Sequence, residues 1–384
     1  FQAEDGIRDI SVLLEFRRVL FRSYYFYEKV IAALEVNPAG FLFGVPTTDI
    51  VQGYFAGGTL KTNAVALFGQ ASYEVTPDLK LTVGGRYSRE TKKVDEVLQF
   101  DFSRTYDPNN PLIPLGTAMQ KTKESSFDPR VALEYQVSDN VFAYASFSKG
   151  FKSGGFNVGN LQPAFKPEEI TDYEVGLKTE LFDGRLRANV TAFWYDYTNL
   201  QVSVIRDTAL LTENAASAEL KGFEVELQAA PTPELRLNAS FSYLDGTYTK
   251  YVTADPTRLP LGPLDLSGNR LSYNPEFMAS GEAAYTFRLG ADDLTIRGVL
   301  NYQSKIFFSQ FNVDNVSEDG YLIGDLFADY KFNDIGLTVR GFVKNVGDKT
   351  YISSAIQGPA WIGVPLVGTF NAPRTFGLEV RKTF

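Results

Sequence analysis

Residues 64–90 read AVALFGQASYEVTPDLKLTVGGRYSRE. In the first half Val65, Leu67, Ala71, Tyr73 and Val75 fall on one side of an extended chain, and Ala66, Phe68, Gln70 and Glu74 on the other. The triplet TPD then turns the chain. Leu79, Leu81, Val83 and Tyr87 follow on one side, opposed by Lys80, Thr82, Arg86 and Ser88. Side chains of a strand alternate between faces, so this stretch is a β-hairpin with one apolar and one polar face.

The unit recurs. Phe127, Val131, Leu133, Tyr135 and Val137 oppose Asp128, Arg130, Glu134 and Gln136, and SDN turns into VFAYASFSKGF. Tyr173, Val175, Leu177 and Leu181 oppose Asp172, Glu174, Lys178 and Glu180; after FDG, Leu186, Ala188, Val190, Ala192 and Trp194 oppose Arg185, Arg187, Asn189 and Thr191. Later hairpins turn at PTPE, GADD and ND, with strands near 214–229, 234–247, 275–288, 293–306, 319–332 and 335–347 and a closing strand at 372–384. Thirteen strands emerge from residue 64 onward. Between hairpins the connections near 92–124, 152–167, 201–214, 248–274, 305–318 and 348–371 read as long polar loops. Short turns at one end and long loops at the other are the pattern of an outer-membrane barrel, with turns in the periplasm and loops outside. The last strand then ends at the periplasmic interface, where aromatic girdles lie, on Phe384.

Composition agrees. The chain has 384 residues, including 31 Phe and 21 Tyr against 2 Met, which favours strands with aromatic girdles over helical packing. With no Cys and no His it has neither thiolate metal ligands nor the commonest catalytic base, so a zinc site or a Ser-His triad is excluded and no enzyme is expected. A net charge of −9 argues against nucleic acid. No apolar run reaches the ~18 residues of a spanning helix, so a membrane role rests on strands. A soluble β-sandwich or propeller also has one apolar face per strand. However, Arg86, Arg130, Arg187, Arg236, Arg297 and Arg340 stand mid-strand on the polar face, where a dry core would need a partner for each. A water-filled lumen has no such requirement. The class expected is therefore all-β: an antiparallel transmembrane barrel in the outer membrane, present as about 13–14 strands.

An odd count starting on the outside implies at least one further strand upstream, and YYFYEKVIA within 24–63 is its candidate stub. The first 23 residues, FQAEDGIRDISVLLEFRRVLFRS, lack the period of two and resemble translated sequencing-adapter reads, so they are set aside as a non-native scar. The organisation expected is a scar at 1–23, a loop and strand remnant at 24–63, and barrel at 64–384.

Several blocks carry a family likeness. YASFSKGFKSGGFN (144–157), KPEEITDYEVGLKTELFDGRLRANVTAFWYDYTNLQV (166–202), ELKGFEVELQAAPTPELRLNASFSYLDGTY (219–248), VKNVGDKTY (343–351) and APRTFGLEVRKTF (372–384) resemble, in order, the barrel of TonB-dependent outer-membrane receptors. That resemblance implies a 22-stranded barrel around an N-terminal plug, with a TonB box coupling it to the inner membrane; neither plug nor box is recognisable in this sequence. It also implies recognition of the closing strand by the barrel assembly machinery, through Phe376, Leu378, Val380 and Phe384. The implied function is energy-coupled uptake of a ferric siderophore or similar large, scarce solute. A carbohydrate or vitamin receptor of the same family and a passive porin or stand-alone small barrel are the alternatives.

Ligand contacts are expected in the outer loops: Tyr106, Asp107 and Asn109; Phe151, Lys152 and Phe156; Phe307, Phe308 and Phe311; and Trp361, because aromatics above the membrane stack on flat ligands. The same rings also suit an upper girdle or loop packing. Lys149, Lys152 and Arg374 would attract an anionic chelate or meet lipopolysaccharide phosphates. The six arginines are read as lumen-wall groups, and Glu168 and Glu169 as the polar start of a strand rather than a catalytic pair. Expected partners are outer-membrane lipid and lipopolysaccharide, the small-molecule ligand, the TonB complex and the assembly machinery; no cofactor or metal is called for.

Overall fold

The computed structural model describes residues 9–10, 18–36, 53–101, 113–206, 209–258, 262–358, 363 and 365–383. Fourteen long strands dominate: β1 (Arg18–Val36), β2 (Gly53–Thr76), β3 (Leu79–Asp101), β4 (Ile113–Ser138), β5 (Val141–Lys152), β6 (Glu168–Leu181), β7 (Leu186–Arg206), β8 (Ala209–Ala229), β9 (Leu235–Ala254), β10 (Phe277–Leu289), β11 (Asp292–Gln303), β12 (Tyr321–Phe332), β13 (Leu337–Lys344) and β14 (Thr375–Lys382). Each pairs antiparallel with its sequence neighbours in one continuous sheet. The order runs from β1 to β14 without returning on itself, so among the described residues the barrel wall is open.

The thirteen expected strands are present, and the stub at residue 24 is a full strand. Its ladder with β2 continues below Tyr24, with Ser23 opposite Leu67 and Arg18 opposite Ser72, so the last residues of the stretch set aside as a scar are part of β1. Two of the expected loop boundaries need correcting. The expected loop 92–124 is largely strand, since β3 runs to Asp101 and β4 starts at Ile113. The expected loop 201–214 is likewise strand, since β7 reaches Arg206 and β8 starts at Ala209. Above the membrane both faces meet water, so Lys, Thr and Glu occupy both and the apolar half of the signal disappears. The backbone ladder, which needs only N–H and C=O groups, continues regardless. The connections 248–274, 305–318 and 348–371 carry small antiparallel pairings, including Val252 with Asp265, Ile306 with Glu318 and Ile352 with Phe370.

The short turns have explicit chemistry. At TPD the Thr76 hydroxyl accepts the Leu79 N–H at 3.1 Å. At FDG three successive residues, Phe182, Asp183 and Gly184, take positive φ, which reverses the chain in minimal length.

The two faces are as the alternation requires. Val65, Leu67, Leu133, Val175, Val190, Leu300 and Leu378 point outward and are exposed, forming the apolar band. All six arginines lie on the opposite face, and three of them reach carboxylates. Arg340 donates to Asp329 at 2.6 and 3.0 Å and lies 3.6 Å from Glu379; Arg297 meets Glu282 at 3.0 Å with its guanidinium 4.0 Å from the Phe327 ring centre; Arg187 meets Glu180 at 3.3 Å. Arg86 donates to the Ser88 hydroxyl at 2.9 Å and stands over the Tyr24 ring. Arg130 faces Gly84 and Ser148 across its two neighbours, and Arg236 faces Ala284.

The segment 153–167 folds back over this inner face as a strap. Lys92 donates to the Ser153 hydroxyl and the Gly154 carbonyl, Gly154 N–H donates to Glu124 at 2.9 Å, and Asn157 exchanges two hydrogen bonds with the Thr212 backbone. At its tip Gly159 N–H donates to Glu96 at 2.7 Å, and Glu96 is only 2% exposed. Gly159 has φ of +89°, and a Cβ there would stand 2.8 Å from the backbone of Ala56 and Gly57. Only glycine fits.

Two consequences are testable. Val190→Arg places a charge in the lipid-facing band and should cost about 2–4 kcal/mol, whereas Asn189→Arg, one residue away on the inner face beside Glu226, should be near neutral; thermal unfolding in micelles compares them. Gly159→Ala should release the strap at a local cost of about 1–3 kcal/mol. Faster hydrogen exchange over 153–162, with an unchanged sheet transition, is the expected result.

Candidate functional site

The outer ends of β7, β8 and β9 continue above the apolar band and meet three connections, 255–276, 304–320 and 345–374. Their side chains form a small core of their own. Ala216, Ala218, Tyr248, Tyr251 and Leu266 are buried together, with Tyr197, Leu200, Leu271 and Phe311 packed against them. A second cluster, Ile306, Phe308, Val316 and Ala355, ties the last two connections to each other. Burial, reinforced by the neighbouring Tyr248, pushes the Tyr251 phenol well above its ordinary range, so it stays neutral. Aromatic rings rather than disulfides hold this outer layer, as a chain without cysteine requires.

Between the clusters lies an open cavity of about 510 Å3. Tyr248, Tyr273, Phe308 and Phe311 supply aromatic surface, and Gln310 and Gln357 supply amides that both donate and accept hydrogen bonds; Gln201 also lines the hollow, with its amide nitrogen donating to the Ser153 and Lys166 carbonyls at 3.0 and 3.1 Å. A hollow of this size and mixture suits a ligand of several rings or amide groups. Outside the cavity, Lys305 stands over the Phe307 ring at 5.1 Å and pairs with Asp314 at 2.6 Å and Asp319 at 3.8 Å. The hydrogen bond that the Lys305 ammonium donates to the Asp314 carboxylate raises the Lys305 pKa, so this ammonium remains charged. Two further hollows open on the inner wall. One, of about 700 Å3, is bordered by Arg86, Glu90, Lys92 and Asp128; the other, of about 580 Å3, by Glu224, Ser240, Ser280 and Gln303. The first mixes charged and apolar groups about evenly, and the second adds Phe241, Met278 and Ile323 to its polar side chains.

The structure distributes the expected ligand residues unevenly. Phe308 lines the cavity although it is only 7% exposed, and Phe311 lines it as well. Phe307 sits outside it beneath Lys305. Phe156, 8% exposed, is packed into the strap. Lys152 ends β5 opposite Glu168, 3.9 Å away, and Glu168 also accepts the Gln201 N–H at 2.8 Å, so that acid is part of a strand start. Tyr106, Asp107, Asn109 and Trp361 lie outside the described residues, as does Phe384. Arg374 pairs with Asp348 at 3.8 Å. Phe376 and Leu378 are 82% and 79% exposed on the outward face of β14, with Val380 beside them. Tyr248, Tyr273 and the three glutamines were missed in the sequence. Tyr248 continues a strand, Tyr273 stands in a Pro- and Gly-rich loop, and nothing local marks them as neighbours.

Comparison with known proteins places this geometry. The family model described as TonB dependent receptor-like, beta-barrel matches residues 18–346. The ferric-pyoverdine 358 receptor of Pseudomonas putida is 27% identical over 327 residues, covering 83% of this chain and 35% of that protein. The ferrioxamine B receptor of Salmonella typhimurium is 24% identical over 282 residues, 72% of this chain and 35% of that protein. The chain therefore spans about a third of the length of these curated relatives. Among solved structures, the ferric yersiniabactin uptake receptor FyuA from Yersinia pestis superposes with a TM-score of 0.76 at 16% identity, over 97% of this chain and 52% of that one. The ferripyoverdine receptor of Pseudomonas aeruginosa bound to ferripyoverdine gives 0.57 at 18% identity, over 100% and 50%. At such identities the structures speak to the fold. With the strand order, the outward apolar band and the match over 18–346, the conclusion is direct: this chain belongs to the TonB-dependent receptor family, carries a large part of its β-barrel, and resides in the Gram-negative outer membrane.

Proposed function

We propose that this barrel captures a ferric siderophore at the cell surface and delivers it inward in a TonB-coupled receptor. The observation that carries the reading is the cavity of about 510 Å3 at the outer end of the wall, lined by aromatic rings and amides and open above a polar inner face. Flat iron-chelating groups stack on rings, and amide-rich chelate backbones pair with glutamine side chains. Relatives that are named as receptors for ferric pyoverdine and for ferrioxamine B support this ligand class. Passage would follow the inner wall, where the arginines and their carboxylate partners form a polar surface for a plug or a hydrated solute to contact. Coupling would pass through TonB, and assembly would use the outward-facing Phe376, Leu378 and Val380 of β14.

Titrating the barrel with ferric hydroxamate, ferric catecholate, cobalamin and an oligosaccharide, read by tryptophan fluorescence, tests the ligand class. One ferric chelate should bind. Tyr273→Ala combined with Phe311→Ala should weaken it about tenfold, since each ring contributes about 0.5–1.5 kcal/mol beyond its area. Binding of cobalamin or oligosaccharide alone would move the protein to another ligand class, and an unchanged affinity in the double variant would remove the cavity as the site.

A further inference from the structure

The outward face of the first four strands carries an arrangement that solute capture leaves unexplained. Lys29 lies directly opposite Lys61, Lys61 opposite Lys93, and Lys93 opposite Lys121, so one rung of the ladder across β1, β2, β3 and β4 is entirely lysine. All four side chains are exposed, while Thr62 and Val94, next to them in sequence, are buried on the inner side under the strap. The rung below reads Tyr27, Asn63, Thr91 and Lys123, and the next Tyr25, Val65, Arg89 and Ser125. The rung above adds the single acid, Asp95, among Ile31, Thr59 and Met119. Six cations thus face one carboxylate over four rungs, and among the described residues none of the four row lysines has a carboxylate within ion-pair distance.

Like charges directly opposite one another in a sheet are destabilising, so an uncompensated row of four needs a reason outside the chain. The Lys123 ammonium, partial desolvation and the Lys93 ammonium together lower the Lys121 pKa. The height of the row supplies the reason. Tyr25 and Tyr27 mark the aromatic girdle at the top of the apolar band; at about 3.3 Å per residue and a tilt near 40°, the lysines stand about 5–10 Å above them, at headgroup level. Three strand spacings of about 4.8 Å make the row about 14 Å wide, broader than one phosphate. A shallow hollow of about 430 Å3 runs along it between Lys29 and Lys121.

We propose that the lysine row Lys29–Lys61–Lys93–Lys121 is a docking site for the multiply phosphorylated headgroup of an outer-leaflet glycolipid, which neutralises the row and fastens this sector of the wall to the leaflet. The position on the outward face at the extracellular end selects the outer-leaflet glycolipid over a soluble anion or an inner-leaflet phospholipid. Lys123 and Arg89 extend the contact downward.

The test uses the full chain in neutral detergent micelles, with bisphosphorylated lipid A, its dephosphorylated form or phosphatidylglycerol added, and reads both the unfolding temperature and lipid retention by native mass spectrometry. Wild type should be stabilised by lipid A well beyond the other two lipids. Lys61→Gln combined with Lys93→Gln should weaken lipid A retention about thirtyfold, at about 1 kcal/mol per lysine. In lipid-free micelles the same variant should unfold no lower than wild type, because it relieves repulsion. Lys178→Gln combined with Lys331→Gln, the same charge change on the inner face, should leave retention intact. Equal retention by wild type and the row variant would overturn the proposal, as would equal stabilisation by dephosphorylated lipid A. Equal stabilisation by phosphatidylglycerol would overturn the assignment to glycolipid.

Discussion

No water reaches the hydrocarbon interior of a bilayer, so each backbone N–H and C=O there must find its partner within the protein. The antiparallel ladder from β1 to β14 meets that demand strand by strand, and the other features of the wall are arranged around it. The outward residues need only be apolar, since lipid makes no directional contacts; Val65, Leu133, Val190 and Leu378 differ in shape yet serve alike. On the inner face Arg340 with Asp329 and Glu379, and Arg297 with Glu282, tie adjacent strands across the ladder. Charge is tolerated there because the face is wet, so neither partner bears the full desolvation cost of a dry core.

Above the bilayer the same ladder continues for a different purpose. Strands that extend past the lipid lift the loops away from the surface and give the strap its anchorage on Lys92, Glu96 and Glu124. The outer loops hold one another through Tyr248, Tyr251, Phe308 and their neighbours, and so keep a cavity open. Phe308 both packs a loop and lines the cavity, so one side chain ties the rigidity of the loops to the shape of the hollow. Preorganising a site in this way lowers the ordering cost of binding.

The lysine row belongs to the same logic, seen from outside. A sheet brings residues of four strands into one line at a spacing fixed by the backbone, and whatever sits in that line is presented as a unit. A charge that is unremarkable on any single strand becomes a band about 14 Å wide when the register aligns it. The wall thus meets its surroundings in three zones, an apolar band for acyl chains, tyrosines at the boundary, and cations above them.

The period-two alternation determined the architecture by itself. Hairpins such as 64–90 state which face meets lipid, the short turns state which end is periplasmic, and the six arginines state that the other face is wet, because each follows from local residue order. Where the membrane signal ends, the sequence lost the strands: 53–63, 92–101 and 113–124 carry polar residues on both faces, and only backbone pairing reveals them. The cavity and the lysine row were decided by tertiary structure alone. Tyr248, Tyr273 and Phe311 come from separate segments, and Lys29, Lys61, Lys93 and Lys121 from four strands, whose register is fixed by turn geometry and burial of the inner face rather than by anything near those residues.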